Sequence, residues 1–178
     1  MNKENYAVIL PVLGKLLYTY PDKDFLEHIK NTELFDSIPY ESSESRFMEG
    51  LALLQSWQKS GGEYDESISD FQDLFIGVRD RVKTPAWESV YLAPEPTMFG
   101  ECTLKVRLWY DRYGLEIKNI RHEPDDHMGI ELMFLGYLMK EDPENADKFF
   151  NELLGLWYEQ FFTSMALHAR SKFYKGLA

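Results

Sequence analysis

What most constrains this chain is the period of its apolar residues. They recur at three- and four-residue spacing almost from end to end. No segment shows the apolar–polar alternation of a half-buried strand bounded by turn residues. Such a chain must bury its apolar stripes helix against helix, so the expected fold class is all-α, with about seven or more helices. Val8, Val12, Leu16 and Tyr20 repeat at four, with Ile9, Leu13 and Leu17 alongside, and Pro21 ends that helix. A short helix is expected from Asp22 to Lys30. Ser43 or Ser45 is placed to cap a third, whose stripe is Phe47, Leu51, Leu54 and Trp57, and Gly61-Gly62 stops it. Ile68, Phe71, Leu74, Phe75 and Val78 mark a fourth from about Asp65, the expected cap, to Val78.

The period then breaks. Residues 79–100 hold Pro85, Pro94, Pro96 and Gly100 and cannot form one regular helix. Connections of that length are commonly functional or mobile. Helix reading resumes through Leu104, Val106, Leu108, Trp109 and Tyr113, with Gly114 as C-cap, and Leu115 to Arg121 reads as a linker. Pro124 and neighbouring acids suit the start of a helix carrying Ile130, Leu132, Phe134, Leu135 and Leu138. A last long helix is expected from Pro143 to His168. Together these predict one helical domain over 1–178: an N-terminal half (about 1–80), the irregular loop as a hinge (about 79–100), and a C-terminal half (about 101–178).

The chain has 178 residues, close to the roughly 150 of one typical domain. Apolar residues make up 44% and aromatics 15%, too rich for a disordered chain. A formal net charge of −11 argues against a general nucleic-acid binder and against stable association with an anionic membrane. It permits a basic partner. The single cysteine, Cys102, cannot form an intrachain disulfide, which fits a cytoplasmic setting. No run approaches the roughly 18 apolar residues of a spanning helix, and Ala7 to Gly14, interrupted by Pro11, reads as mature protein rather than a signal peptide.

The densest polar cluster is His122-Glu123-Pro124-Asp125-Asp126-His127, with Glu131 four residues on. It admits three chemistries. One is a metal-dependent hydrolase centred on Asp126, His127 and Glu131, although Asp126 stands where a His-Glu-x-x-His motif needs histidine. Another is acid–base catalysis by Asp126 and His127, although adjacent helical residues point about 100° apart. The third is recognition of a basic peptide by Glu123, Asp125 and Asp126, with Trp87 and Tyr91 holding an apolar segment beside them. Against all three stands a plain alternative, in which the acids only cap a helix and the aromatics only plug the core. Trp57, Trp109 and Trp157 read as core. Glu63, Asp65, Glu66, Asp70 and Asp73 read as a solvated helix face.

From Glu123 to Phe134 the chain resembles the TorD/DmsD/NarJ family of chaperones for redox enzymes. Two further stretches agree. Phe71 to Phe75 and then Pro85-Ala86-Trp87-Glu88-Ser89-Val90-Tyr91 resemble the family's central motif, with Gly100, Tyr110 and Gly114-Leu115 following at matching places. His168 to Ala178, with Phe173-Tyr174 and Leu177-Ala178, resembles its C-terminal motif, with Lys172 where proline is frequent. The resemblance covers about Asp65 to Ala178. It implies an all-helical protein that is not an enzyme and carries no catalytic or metal-ligating residues. It further implies a cytoplasmic chaperone that binds the twin-arginine signal peptide and apo-form of a molybdenum oxidoreductase subunit and assists its maturation before export. The alternative within the family is a NarJ-like assembly factor for a subunit that is not exported. The peptide-binding residues so implied are Trp87, Glu88, Ser89, Tyr91, Gly100, Glu123, Pro124, Asp125, Asp126 and His127. No cofactor is expected, guanine nucleotide entering only as a trait of some members. The expected state is a monomer or a domain-swapped dimer.

Overall fold

Pro11 lies inside the first helix, not at its end. In a computed structural model, which describes residues 3–38, 44–60, 63–77, 81–93, 100–117 and 123–178, that ring packs directly on Gly136 of a later helix. The described residues form α1 (Lys3–Tyr18), α2 (Lys23–Asn31), α3 (Ser45–Lys59), α4 (Tyr64–Phe71), α5 (Glu88–Leu92), α6 (Glu101–Arg112), α7 (Met128–Glu141), α8 (Pro143–Glu152), α9 (Tyr158–His168) and α10 (Lys172–Leu177). They include no strand, so the fold is all-α as the period predicts. The chain divides into two compact units. The first holds Thr19–Pro85 with Phe161–Ala178, and the second holds Lys3–Tyr18 with Ala86–Gln160.

The first unit is built around aromatic rings. Trp57 of α3 sits 4.6 Å from Phe173 of α10, centroid to centroid, and its indole N–H donates to Ser67 at 3.1 Å. Phe71, Phe75 and Tyr174 close the cluster. After α4 the backbone widens into a π-turn, Gln72–Ile76. It ends at Gly77, whose φ of 72° lies in the left-handed region that suits glycine. Asp70 and Asp73 flank the widening and are both buried, not solvated as predicted. Asp70 accepts from the N–H groups of Arg170 and Ser171 and from the Ser171 hydroxyl at 2.8–2.9 Å, while the Arg170 guanidinium pairs with Asp73. These two acids therefore anchor the entry to α10. Ser171 also accepts from the Tyr174 N–H at 3.2 Å, capping that six-residue helix. Ser171→Ala removes both this cap and the hydroxyl bond to Asp70 and should lower stability by about 2 kcal/mol or more, read as a fall in the thermal midpoint with little change in the helical circular dichroism of the folded protein.

The second unit centres on α1 against α7. Gly14 and Gly129 face each other so closely that a Cβ on Gly14 would lie 2.4 Å from the Gly129 carbonyl oxygen. Phe134 of α7 then gathers Tyr110 and Tyr113 near the end of α6 and Phe149 of α8. Gly114 adopts φ 63° just past α6 and ends it as expected.

Several local expectations are corrected. The residue before α3 is Glu44 with no side-chain cap, Ser45 is already helical, and α4 follows Glu63 rather than Asp65. Leu104 and Leu108 are 55% and 68% exposed, because α6 turns Thr103, Val106, Trp109 and Tyr110 inward instead. Burying a leucine gains about 2 kcal/mol. Thr103 donates to a buried carboxylate, and leaving such a charge without donors costs more than that. The expected long helix from Pro143 breaks at Leu153, and a short 3-10 turn, Leu154–Leu156, separates α8 from α9. Gly155 lies against the Phe150 carbonyl at that break, where a Cβ would approach to 2.6 Å. The irregular stretch contains α5, which its five residues hid from periodicity. Ser43, Gly61-Gly62, Val78, Arg79, Pro94, Pro96, Arg121 and His122 lie outside the described residues.

Candidate functional site

Residues 86–88 and 126–128 run side by side in the second unit. Met128 N–H donates to the Ala86 carbonyl at 2.8 Å and Glu88 N–H to the Asp126 carbonyl at 3.0 Å, with Trp87 and His127 paired antiparallel between them. Pro85 and Pro124 flank this short extended pairing, and α5 and α7 begin directly after it. Two halves of the sequence motif, nearly forty residues apart, thus become one strap.

Asp126 sits at its centre with no exposed surface. One carboxylate oxygen accepts the Ser89 N–H at 2.9 Å and the other the Thr103 hydroxyl at 2.8 Å. It therefore ties α5 and α6 to the loop that precedes α7. His127 is the N-cap of α7 and is 5% exposed, its Nδ1 accepting the Gly129 N–H at 3.0 Å. A nitrogen that accepts carries no proton, so the ring is neutral with its hydrogen on Nε2. Tyr18 and Trp87 meet that ring edge-on at 5.2 and 6.0 Å.

Asp125 turns the other way. Its carboxylate pairs with Arg107 Nε of α6 at 2.6 Å, and the Tyr110 hydroxyl donates to its carbonyl at 3.1 Å. Just before Asp125, Glu123 is half-buried and Pro124 is buried. Trp87 and Tyr91 are half-buried, and Tyr91 tilts against Trp157 at 5.3 Å. Gly100 is the N-cap of α6 with φ −84°, which any residue adopts, so no special backbone freedom is used there.

The electrostatics are those of a crowded acidic interior. Burial, then the charge of Asp126, pushes the Glu88 carboxyl up to about 7, offset in part by Lys105 and by a hydrogen bond to Cys102. Burial is also the main cause that raises Glu131 well above the carboxylate range, with Glu88 and Asp126 adding to it and the Trp157 indole opposing. The Cys102 thiol is pushed up to about 11 by burial and then by Glu88 and Asp126, so it is no activated nucleophile. Trp87 Nε1, Glu88 Oε2, Ser89 Oγ and Tyr91 OH are buried without a hydrogen-bond partner among the described residues. Such atoms are rare in proteins and need an explanation wherever they cluster.

All ten residues implied by the resemblance lie in the second unit. Trp87, Glu88, Ser89, Asp126 and His127 meet directly, Asp125 joins them through the chain, and Tyr91 packs toward Trp157. Thr103, Arg107, Tyr110 and Tyr18 complete the site and were not singled out for it from the sequence. Only the family's fixed place for Tyr110 hinted at any of them. The geometry does not match the metal reading of Asp126, His127 and Glu131. Among the described residues no three His, Cys, Asp or Glu side chains are placed to hold one ion, and His127 Nδ1 is already engaged.

The fold has a solved counterpart. A protein of Archaeoglobus fulgidus described as a redox enzyme maturation protein shares this helical architecture, with a TM-score of 0.64 over 99% of this chain and 90% of that one at 20% identity. The chain belongs to the nitrate reductase delta subunit family, whose model matches residues 45–163. It is 28% identical to the Tat proofreading chaperone DmsD of Salmonella typhimurium over 99% of this chain and 85% of the relative. It is 35% identical to the "Probable Tat proofreading chaperone DmsD" of Haemophilus influenzae over 61% of this chain and 53% of that protein. The match thus spans about half the length of the Haemophilus protein. This is the family that the motifs resemble, and its matched members are named as chaperones, which makes the chain a chaperone-family protein rather than an enzyme.

Proposed function

We propose that the chain binds the twin-arginine signal peptide and apo-form of a molybdenum oxidoreductase subunit and holds it until maturation is complete. One observation carries this reading: within the five residues 87–91, four side chains each hold a buried polar atom without a hydrogen-bond partner among the described residues, beside the acidic loop that the family motif marks. A peptide laid along the strap would offer donors and acceptors to those atoms. Asp125 and Glu123 would meet its arginines, the incoming guanidinium competing with Arg107 for Asp125. Trp87 and Tyr91 would take its apolar run. Asp126 and His127 are engaged by the chain itself, so their part is to hold the strap in shape. A signal that must be held before export is met in the cytoplasm, which is the compartment we assign.

Calorimetric titration with a synthetic peptide carrying the arginine pair and the apolar run tests this. Replacing both arginines by glutamine should weaken binding about 100-fold or more, each lost charge-assisted bond being worth about 1.5–3 kcal/mol. Equal binding of the two peptides, or binding of neither, would sink the proposal. A second reading is favoured by the family model itself, described as a nitrate reductase delta subunit. The client would then be the apo-form of a subunit that is not exported, and a twin-arginine pair would not be needed for binding.

A further inference from the structure

Three carboxyl groups from three separate segments are buried together in the second unit. Glu88 opens α5, Asp126 lies in the loop, and Glu131 sits in the first turn of α7. Asp126 has two good donors. Glu88 and Glu131 have no comparable compensation. The cation that acts on Glu88 is Lys105 of α6, which is exposed and bound to Glu101 at 3.0 Å. Arg107 is occupied by Asp125. The other groups facing the cluster are the Cys102 thiol and Tyr110 hydroxyl from α6 and the Trp157 indole. The His127 ring beside them is neutral, and Tyr18 of α1 adds no charge. Among the described residues no lysine or arginine is buried. With two good donors on only one of them, three negative charges cannot share such a place, so the closed arrangement needs protons on part of the cluster.

We infer that closure of residues 86–89 on 126–128 is proton-linked: the strap is shut while Glu88 and Glu131 hold protons, loosens as they lose them, and then frees Trp87 and Tyr91. As regulation of peptide capture this rests on the proposed function, but the switch itself belongs to the free protein. The direction follows from linkage. Glu88 titrates near 7 when closed and near the ordinary 4.5 when open, so the closed state binds more protons. Closure is fully favoured below the open value and is lost as pH rises through about 7. Glu131 shifts in the same direction and adds to the effect.

Amide hydrogen exchange by mass spectrometry tests this without any peptide, with labelling times scaled for the intrinsic pH dependence of exchange. Protection of the segment 86–92 should fall about tenfold between pH 6 and pH 8 from Glu88 alone, while α3 in the first unit stays unchanged. Glu88→Gln and Glu131→Gln should each flatten that dependence, since glutamine keeps the shape and removes the titration. Equal wild-type protection at the two pH values would overturn the inference, as would an unchanged dependence in both variants. If either variant fails to fold, the wild-type comparison decides alone. A failed peptide titration would count against the proposed function and leave this switch standing.

Discussion

Asp126→Ala is expected to unfold the protein at markedly lower temperature, not merely to weaken ligand binding. The carboxylate is wholly buried and receives the Ser89 N–H and the Thr103 hydroxyl, so alanine leaves two buried donors without an acceptor. Hydrogen bonds to charged groups contribute about 1.5–3 kcal/mol each. Against that loss stands relief of the repulsion that Asp126 exerts on Glu88 and Glu131. The net cost should be about 3 kcal/mol, or roughly 9 °C in the thermal midpoint for a chain of this size. Thr103→Val removes one of the two bonds and should cost less. Asp126→Asn keeps acceptor capacity at one oxygen and should fall between alanine and wild type. In Asp126→Asn the Glu88 carboxyl should also titrate lower, because one cause of its elevation is gone. An alanine variant as stable as wild type would show that the strap does not depend on this carboxylate.

The second large effect is expected where α1 meets α7. A methyl group on Gly14 would lie 2.4 Å from the Gly129 carbonyl oxygen and 3.0 Å from the Met133 amide nitrogen. On Gly129 it would lie 2.6 Å from the Gly14 carbonyl oxygen and 2.9 Å from Tyr18 Cβ. Overpacking costs about 1–3 kcal/mol even where side chains can give. Here the obstacle is mostly backbone, so the helices themselves must part. Alanine's better helix propensity returns only about 1 kcal/mol. Each of Gly14→Ala and Gly129→Ala should therefore destabilise by about 2 kcal/mol or more, measured by urea denaturation. The double variant should cost less than the sum, since both methyl groups force apart one contact. Gly129 follows His127 by two residues and Tyr18 meets the His127 ring, so either variant should also disturb the strap. Full stability of both single variants would mean that the two helices do not approach this closely.

The sequence made the fold class plain and the site only half plain, for physical reasons visible at particular residues. Repeats such as Val12 and Leu16, or Leu51 and Leu54, read directly as helix because a 3.6-residue period leaves its mark over any window of two turns. Five residues of α5 are too few to show one. The π-turn after Phe71 changes the angular step around Asp73, and the partners that bury Asp70 lie about a hundred residues on, so the spacing reads as a wet face where both acids are buried against Arg170 and Ser171. The long helix from Pro143 shows continuous apolar spacing, and only Gly155 marks its break. At the site, the acidic loop and the aromatic segment were legible as motifs. What joins them was not, because the partners of Asp126 lie 37 and 23 residues away and no spacing rule reaches that far. The same holds for burial. Sequence reading gave Asp126 an arginine of the ligand, whereas its full burial gives it to Ser89 and Thr103.

A basic, apolar peptide received by residues 86–91 and 123–127 should leave its mark on their amides. Hydrogen exchange mapped across the whole chain, with and without saturating twin-arginine peptide at one fixed pH, tests it most directly. Added protection should be confined to 86–92 and 123–131, and should be absent when the peptide's arginines are replaced by glutamine. Protection that falls instead on the first unit, or none in the presence of demonstrably bound peptide, would contradict it.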